Sequence, residues 1–307
     1  MPLDLFLLET FVTVAREGSF SRAAARLHRT QPAISQAVRK LERELGEPLL
    51  DRSSRDATLT DAGQLLLEYS ERLLNLRSEA FNALSELRQW QAGKLTIAAN
   101  EFTCQYLLPV LDEFRRLYPR IKVTVQRSLA SGIPELIRQH SVEFGVLSFH
   151  PDDPWLRSIV VYRDRLAFVA HPRHPLASAK QASIRQLGAE SFVAHNVTSP
   201  YRTRVLQAFR RHKTPLHMPV ELPTIEAIKK FVALGNGVAL VPGICVEAEV
   251  ERGELVQIPI RELRLERRLR LVYRKNASLS HAARAFLTVA ESLARNSGGR
   301  FLYHPER

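Results

Sequence analysis

Gln31, Ser35, Gln36 and Arg39 fall within nine residues of "RTQPAISQAVRK" and carry donors and acceptors suited to base edges. A glutamine amide can pair bidentately with adenine and a guanidinium with guanine, in a major groove that admits one helix. Around them, residues 19–41 hold five basic side chains, Arg22, Arg26, Arg29, Arg39 and Lys40, and no acid. That local imbalance suits a phosphate backbone. On a helix starting after Thr30, Ile34, Ala37, Val38, Leu41 and Leu45 share one face. Pro32, Gln36, Arg39 and Arg43 lie opposite, with Gln31 and Ser35 on the leading flank. The chemistry is recognition rather than bond cleavage.

Such a helix needs others to hold it. Leu5, Leu8, Phe11, Val12 and Ala15 give a first helical period, stopped at Gly18. Ser19 caps a second, short helix with Phe20, Ala23, Ala24 and Leu27 on its apolar stripe. The chain turns at His28-Arg29, Thr30 caps the third helix, and Pro32 falls in its first turn, where a missing N–H costs nothing. A short helix, a tight turn and a helix with a polar face follow helix-turn-helix logic, with Arg22, Arg26 and Arg29 on flanking phosphates. A plain three-helix bundle with a solvated basic face fits the same pattern. Leu49-Leu50 and Thr58-Leu59 then read as short strands around "DRSSRD". This is either a wing that brings Arg52 and Arg55 to the DNA backbone or minor groove, or an ordinary hairpin tip.

Thr60 caps a helix running to about Gln91. Ala62, Leu66, Tyr69, Leu73, Leu76, Ala80, Ala83, Leu87 and Trp90 alternate steps of four and three, a heptad seam that asks for a partner helix. Burial within its own chain is the other way to cover such a seam. From Leu95, β-rich runs alternate with helical ones: "KLTIAAN", "QYLLPVLDEFRRLYP", "IKVTVQR", "GIPELIRQH", "EFGVLS". A second series runs from "RLAFVAH" to "GVALVP". Both imply parallel strands covered by helices. "LRLVYR" and a helix over about 280–295 close the pattern, and the tail "NSGGRFLYHPER" is expected to be poorly ordered.

Composition sets the limits. The chain has 307 residues and a net charge of +12. Residues 1–92 balance at −1, and residues 93–307 at +13, so global charge says nothing for a DNA-binding N-terminus. The surplus suits an anionic ligand in the C-terminal part, although surface charge explains it equally. Two cysteines, Cys104 and Cys245, are too few for a disulfide framework or a four-ligand zinc site. The N-terminus lacks a signal peptide's basic region, and the longest weakly polar run, "GVALVPGICV", is about half a membrane span. G-x-S-x-G, a Walker loop and H-E-x-x-H are missing, so no catalytic residue, metal or cofactor is expected. "GNG" at 235–237 follows a helix and reads as a C-cap. His171 and His174 read as turn residues. Cys104, near a helix start, is placed where a thiolate is favoured, and Cys245 reads as a small packed residue.

"SFSRAAARLHRTQPAISQAVRKLERELGEPLLDR" followed by "LTDAGQLLL" resembles the winged helix-turn-helix signature of LysR-type transcriptional regulators, and the likeness extends over essentially the whole chain. It implies an α/β protein with an N-terminal winged helix-turn-helix (1–59), a long linker and dimerisation helix (60–92), and a two-lobed α/β effector domain of periplasmic-binding-protein type (93–307). Lobe I would cover about 93–163 and 268–296, and lobe II about 164–267. The DNA-binding set becomes Arg22, Arg29, Thr30, Gln31, Pro32, Ser35, Gln36, Arg39, Arg52 and Arg55. Leu66, Tyr69, Leu73, Leu76, Ala80 and Leu87 would serve dimerisation. Leu50 stands where members more often have Phe, which keeps an apolar anchor. A small-molecule coinducer would lie between the lobes, with Asn100, Glu101, Phe102, Thr103 and Ser148 on one side and Thr198, Ser199, Arg202, Thr224 and Ile225 on the other. Glu101 and Phe102 replace small polar residues, so a plain inorganic anion is disfavoured. Glu101 faces either the pocket, to meet a donor or cation, or solvent. The implied partners are double-stranded promoter DNA, a small anionic coinducer, further copies of the chain as homodimer or homotetramer, and RNA polymerase for an activator. No membrane is implied, and the setting would be cytoplasmic.

Overall fold

The computed structural model describes residues 4–51, 57–88 (backbone only from 82), 93–197, 199–263, 265–275 and 278–306. They divide into two compact units, the first of residues 1–90 with 138–141 and the second of 91–137 with 142–307.

In the first unit, α1 (Leu5–Glu17), α2 (Phe20–Arg26) and α3 (Gln31–Leu45) bury the apolar faces read from the sequence. Leu8, Phe11, Val38 and Leu41 are fully enclosed in one cluster. The caps are local and specific. Asp4 accepts from the Phe6 N–H, Ser19 from Arg22 and Thr30 from Ala33. His28 takes φ 52° in the turn between α2 and α3, an uncommon conformation for a residue with a Cβ. Strands β1 (Leu50–Asp51) and β2 (Thr58–Leu59) pair antiparallel, with Leu50 opposite Leu59. The long helix α4 (Asp61–Arg88) leaves this hairpin. Gly63, in its first turn, is required there: a Cβ would stand 2.0 Å from the Leu49 carbonyl oxygen.

The second unit begins with β3 (Gly93–Ala99), α5 (Glu101–Leu117), β4 (Ile121–Arg127), α6 (Ile133–Arg138) and β5 (Phe144–Leu147). Strand β3 pairs parallel with β4 and β5, as the βαβαβ pattern requires. Next comes β6 (Leu156–Ala170), a single 15-residue strand where the sequence suggests only "RLAFVAH". The remaining elements are β7 (Ser191–His195), α7 (Pro200–Arg211), β8 (His217–Leu222), α8 (Ile225–Ala233), β9 (Ala239–Pro242), α9 (Glu247–Glu251), β10 (Val256–Ile258), β11 (Glu266–Arg274), α10 (His281–Asn296) and β12 (Phe301–Pro305).

Strand β6 makes the unit bilobal. From Leu156 to Arg165 it pairs with β11, and from Leu166 to Ala170 with β9 and β10. One lobe forms around β3, β4, β5 and α10, with Leu95, Phe114, Phe144 and Phe286 in its core. The other forms around β7–β10, with Phe168, Phe192 and Phe209. Asp164 and Arg267 face each other on β6 and β11 at this change of partners.

The expected disorder of residues 296–307 is not found over Phe301–Pro305. Here β12 pairs with β6, and Phe301 and Tyr303 pack against the lobe I core. Glu306 anchors the end, accepting from Arg270 Nε at 2.8 Å and Nη2 at 3.0 Å, and from the Ser158 hydroxyl. A five-residue edge strand carries too little periodicity to show in sequence, and its partner lies about 140 residues upstream.

Candidate DNA-binding face and effector cavity

The α3 face is open. Gln31, Pro32, Gln36, Arg39 and Lys40 are exposed and Ser35 is half-buried, while Ile34, Ala37, Val38 and Leu41 face the core. Lys40 pairs with Glu44 at 3.8 Å, whereas Arg39 has no ion pair among the described residues. The Thr30 hydroxyl is engaged as the α3 cap, and exposed Arg29 lies 6.0 Å from the Phe6 ring centre. Two basic side chains are less available than the sequence suggests. Arg22 donates through Nε and Nη2 to the Glu17 carbonyl, closing the end of α1, and Arg26 pairs with Glu17 at 2.5 Å. Arg52 and Arg55 lie outside the described residues.

On α4, Tyr69, Leu73, Leu76 and Ala80 are exposed, along with Leu65 and Phe81, which the heptad reading leaves out. Leu66 is corrected: it packs on the core formed by α1–α3. The helix starts against its own head, so the first two seam positions, Ala62 and Leu66, are covered by the chain itself. The Leu87 side chain lies outside the described residues.

In the second unit a cavity of about 820 Å3 opens between the lobes. Two physical tendencies place it there: ligands collect at the carboxyl ends of parallel strands, and loops after those strands vary freely. Asn100, Glu101, Phe102 and Ser148 line it from lobe I, and Ser199 and Arg202 from lobe II. Three expected members do not. Thr103 is fully buried and turns back to accept from the Asn100 N–H at 3.1 Å, completing a reciprocal cap of α5. Thr224 caps α8, and buried Ile225 gives its N–H to Glu101. Helix-capping chemistry and ligand-contact chemistry use the same residue types, which is why sequence did not separate them. Thr198 lies outside the described residues.

Glu101 lies on the cavity wall, but its carboxylate is engaged within the protein. It bridges the lobes: Oε1 accepts from Ile225 N–H at 2.7 Å, and Oε2 stands 3.5 Å from His195 Nε2. His195 Nδ1 accepts from the Val197 N–H at 3.1 Å, which leaves Nε2 on the side of Glu101. A carboxylate at the start of α8 also meets the positive end of the helix. Tyr201 makes a second bridge, its hydroxyl donating to the Ser148 carbonyl at 2.9 Å.

Arg202 is tied to Glu221 and to the His195 carbonyl at 3.1 Å. Arg267, absent from the sequence-based set, lines the cavity and pairs with Asp164 at 2.7 Å, both nearly inaccessible. Its guanidinium also lies 5.1 Å from the Tyr201 ring centre. Burial pushes the Asp164 carboxyl above its usual range, and Arg267 with the Arg165 and Ile244 N–H groups offsets this only in part. His195, Tyr201 and Arg127 are further lining residues missed in sequence, since nothing local marks them.

Of the two thiols, Cys104 differs from expectation, while Cys245 is packed in the core as expected. Burial pushes the Cys104 thiol up despite its place in the first turns of α5, and Cys245 is pushed up to about 12 by burial. His171 and His174 accept the Arg173 and Leu176 N–H groups through Nδ1, as turn residues do. No helix among the described residues is long and apolar enough to cross a membrane.

Comparison with known proteins agrees with this architecture. Residues 5–64 match the bacterial regulatory helix-turn-helix protein model of the lysR family, and residues 88–295 match the LysR substrate binding domain. A probable RuBisCO transcriptional regulator of Synechocystis sp. is 33% identical over 294 residues, covering 94% of this chain and 85% of the relative. The crystal structure of CbnR, a LysR family transcriptional regulator, superposes with a TM-score of 0.73 at 20% identity, over 94% of this chain and 99% of CbnR. The CcmR regulatory domain of Synechocystis PCC6803, solved in complex with 2-PG, gives a TM-score of 0.60 at 25% identity, over 66% of this chain and 98% of that domain. The chain belongs to the LysR family: it is a DNA-binding transcriptional regulator with an effector-binding domain, not an enzyme.

Proposed function

We propose that this regulator reads dyad-symmetric promoter sites with the exposed α3 face and is switched by a small anionic coinducer held between its effector lobes. The observation that carries the reading is the cavity, where the start of α5, the end of β5, β7 and the start of α7 converge. CcmR, similar over its regulatory domain, binds 2-PG, and a ligand in the corresponding domain here follows by analogy. Gln31, Ser35, Gln36 and Arg39 contact base edges, and Arg29 with the head of α3 meets phosphates. Asn100, Glu101, Phe102, Ser148, Ser199 and Arg202 make up the effector set, joined by His195, Tyr201 and Arg267. Tyr69, Leu73, Leu76 and Ala80 seat a second copy, and two dimers assemble on one promoter. The switch is a shift between two assembled states as the ligand closes or tilts the lobes. For an activator the downstream partner is RNA polymerase, and the working compartment is the cytoplasm, where promoter DNA lies.

The test is genome-wide capture of DNA fragments by the purified protein at about physiological salt, with and without cell metabolite extract. A few enriched dyad-symmetric intergenic sites, with a pattern altered by extract, are expected. Uniform capture under both conditions would refute the reading.

A further inference from the structure

The effector half has a net charge of +13, yet the cavity wall within it is balanced. Three guanidiniums line it, Arg127, Arg202 and Arg267. Arg267 is neutralised by Asp164 at 2.7 Å and Arg202 by Glu221. The start of α8, where helix N–H groups would draw an anion, is filled by Glu101. Arg127 alone has no ion pair among the described residues, and it stands at the exposed end of β4. The rest of the wall is largely hydrocarbon, including Phe102, Val205, Leu216, Met218 and Leu240. Apolar side chains also frame the approach: Leu129 is 62% exposed and Val197 43%.

We infer that the ligand is a monoanion with an aromatic or branched hydrocarbon body, its carboxylate at Arg127 and its body against the lobe II wall. The inference rests on the reading of this cavity as the effector site. A ligand with several charges would have to shed water from each extra charge against a wall whose other cations are already paired. A hydrocarbon body loses nothing by leaving water.

Isothermal titration and thermal unfolding of the full chain test this with phenylacetate, 2-phenylethanol, inorganic phosphate and 2-PG. Phenylacetate is expected to bind and raise the unfolding temperature, with phosphate and 2-PG silent at equal concentration. Arg127→Met should weaken phenylacetate by roughly tenfold to a hundredfold and leave 2-phenylethanol unchanged. Leu216→Trp should abolish binding of both, and Leu129→Trp, at an exposed position, repeats that test if the first variant does not fold. Binding of 2-PG that is lost on Leu216→Trp or Leu129→Trp would overturn the ligand class but keep the site. Phenylacetate binding that survives both tryptophans would overturn the site itself. Silence from phenylacetate and 2-phenylethanol alike would also overturn the ligand class.

Discussion

The two recognition surfaces use charge in opposite ways. The α3 face lies in a region of net charge −1, yet its Arg39 is exposed and unpaired among the described residues, beside two free amides. The effector cavity lies in a region of net charge +13, yet Arg202 and Arg267 on its wall are bound to carboxylates of the same chain. Net charge therefore says little about which cations each site leaves free. Pairing decides: an unpaired cation on a convex helix is available to a polyanion, while a paired one inside a cavity is part of the scaffold.

The sharpest way to break the comparison is to unpair a cavity cation. Asp164→Ala would leave Arg267 buried without its partner, and a loss of about 3–5 kcal/mol in urea unfolding of the full chain is expected. A loss within experimental error would show that Arg267 is not held by Asp164 and is available to a ligand. On the open face, Arg39→Ala should remove about 1–3 kcal/mol of discrimination between a selected operator and its point variants, measured by titration at fixed salt. Stability should not change, because Arg39 touches no core. Arg29→Ala should weaken all sequences alike and lower the slope of log affinity against log salt by about one. An unchanged slope would leave Arg29 as a packing partner of Phe6.

The smallest effect concerns the Arg270–Glu306 pair. Burial raises the Glu306 pKa, but hydrogen bonds from Arg270 and Ser158 outweigh it and hold the carboxyl below its usual range. A folded value below the unfolded one contributes stability that is present above about pH 4.3 and lost as pH falls through the depressed folded value. Hydrogen exchange over Phe301–Pro305 should therefore accelerate as pH falls below that point, after correction for intrinsic rates. Glu306→Gln should remove the pH dependence. Protection that persists unchanged in the variant would mean that Phe301 and Tyr303 hold the tail alone.

Much of the first unit was legible because its signals are local. Gly18, Ser19, Thr30 and Pro32 mark helix ends, and a period of 3.6 marks the buried faces. Each cap the sequence indicates at Ser19 and Thr30 is made by the residue named. The cavity was legible only as a neighbourhood. Asn100, Thr103 and Thr224 look alike in sequence, as small polar residues at helix starts. Asn100 both caps α5 and lines the cavity, whereas Thr103 and Thr224 are turned to backbone N–H groups and do not line it. Arg202 lines the cavity with its guanidinium tied to Glu221, which arrives from β8, 19 residues later.

The sequence by itself determined the order of elements, the polar face of α3 and the family, because periodicity, caps and turn residues act over a few positions. Only the tertiary structure decided which charges are neutralised, that Glu101 crosses to the start of α8, that β6 runs through both lobes, and that the tail returns as a strand. Those outcomes depend on contacts between residues some 19 to 150 positions apart. No local pattern encodes such distances; they are fixed when strand pairing and core packing bring the partners together.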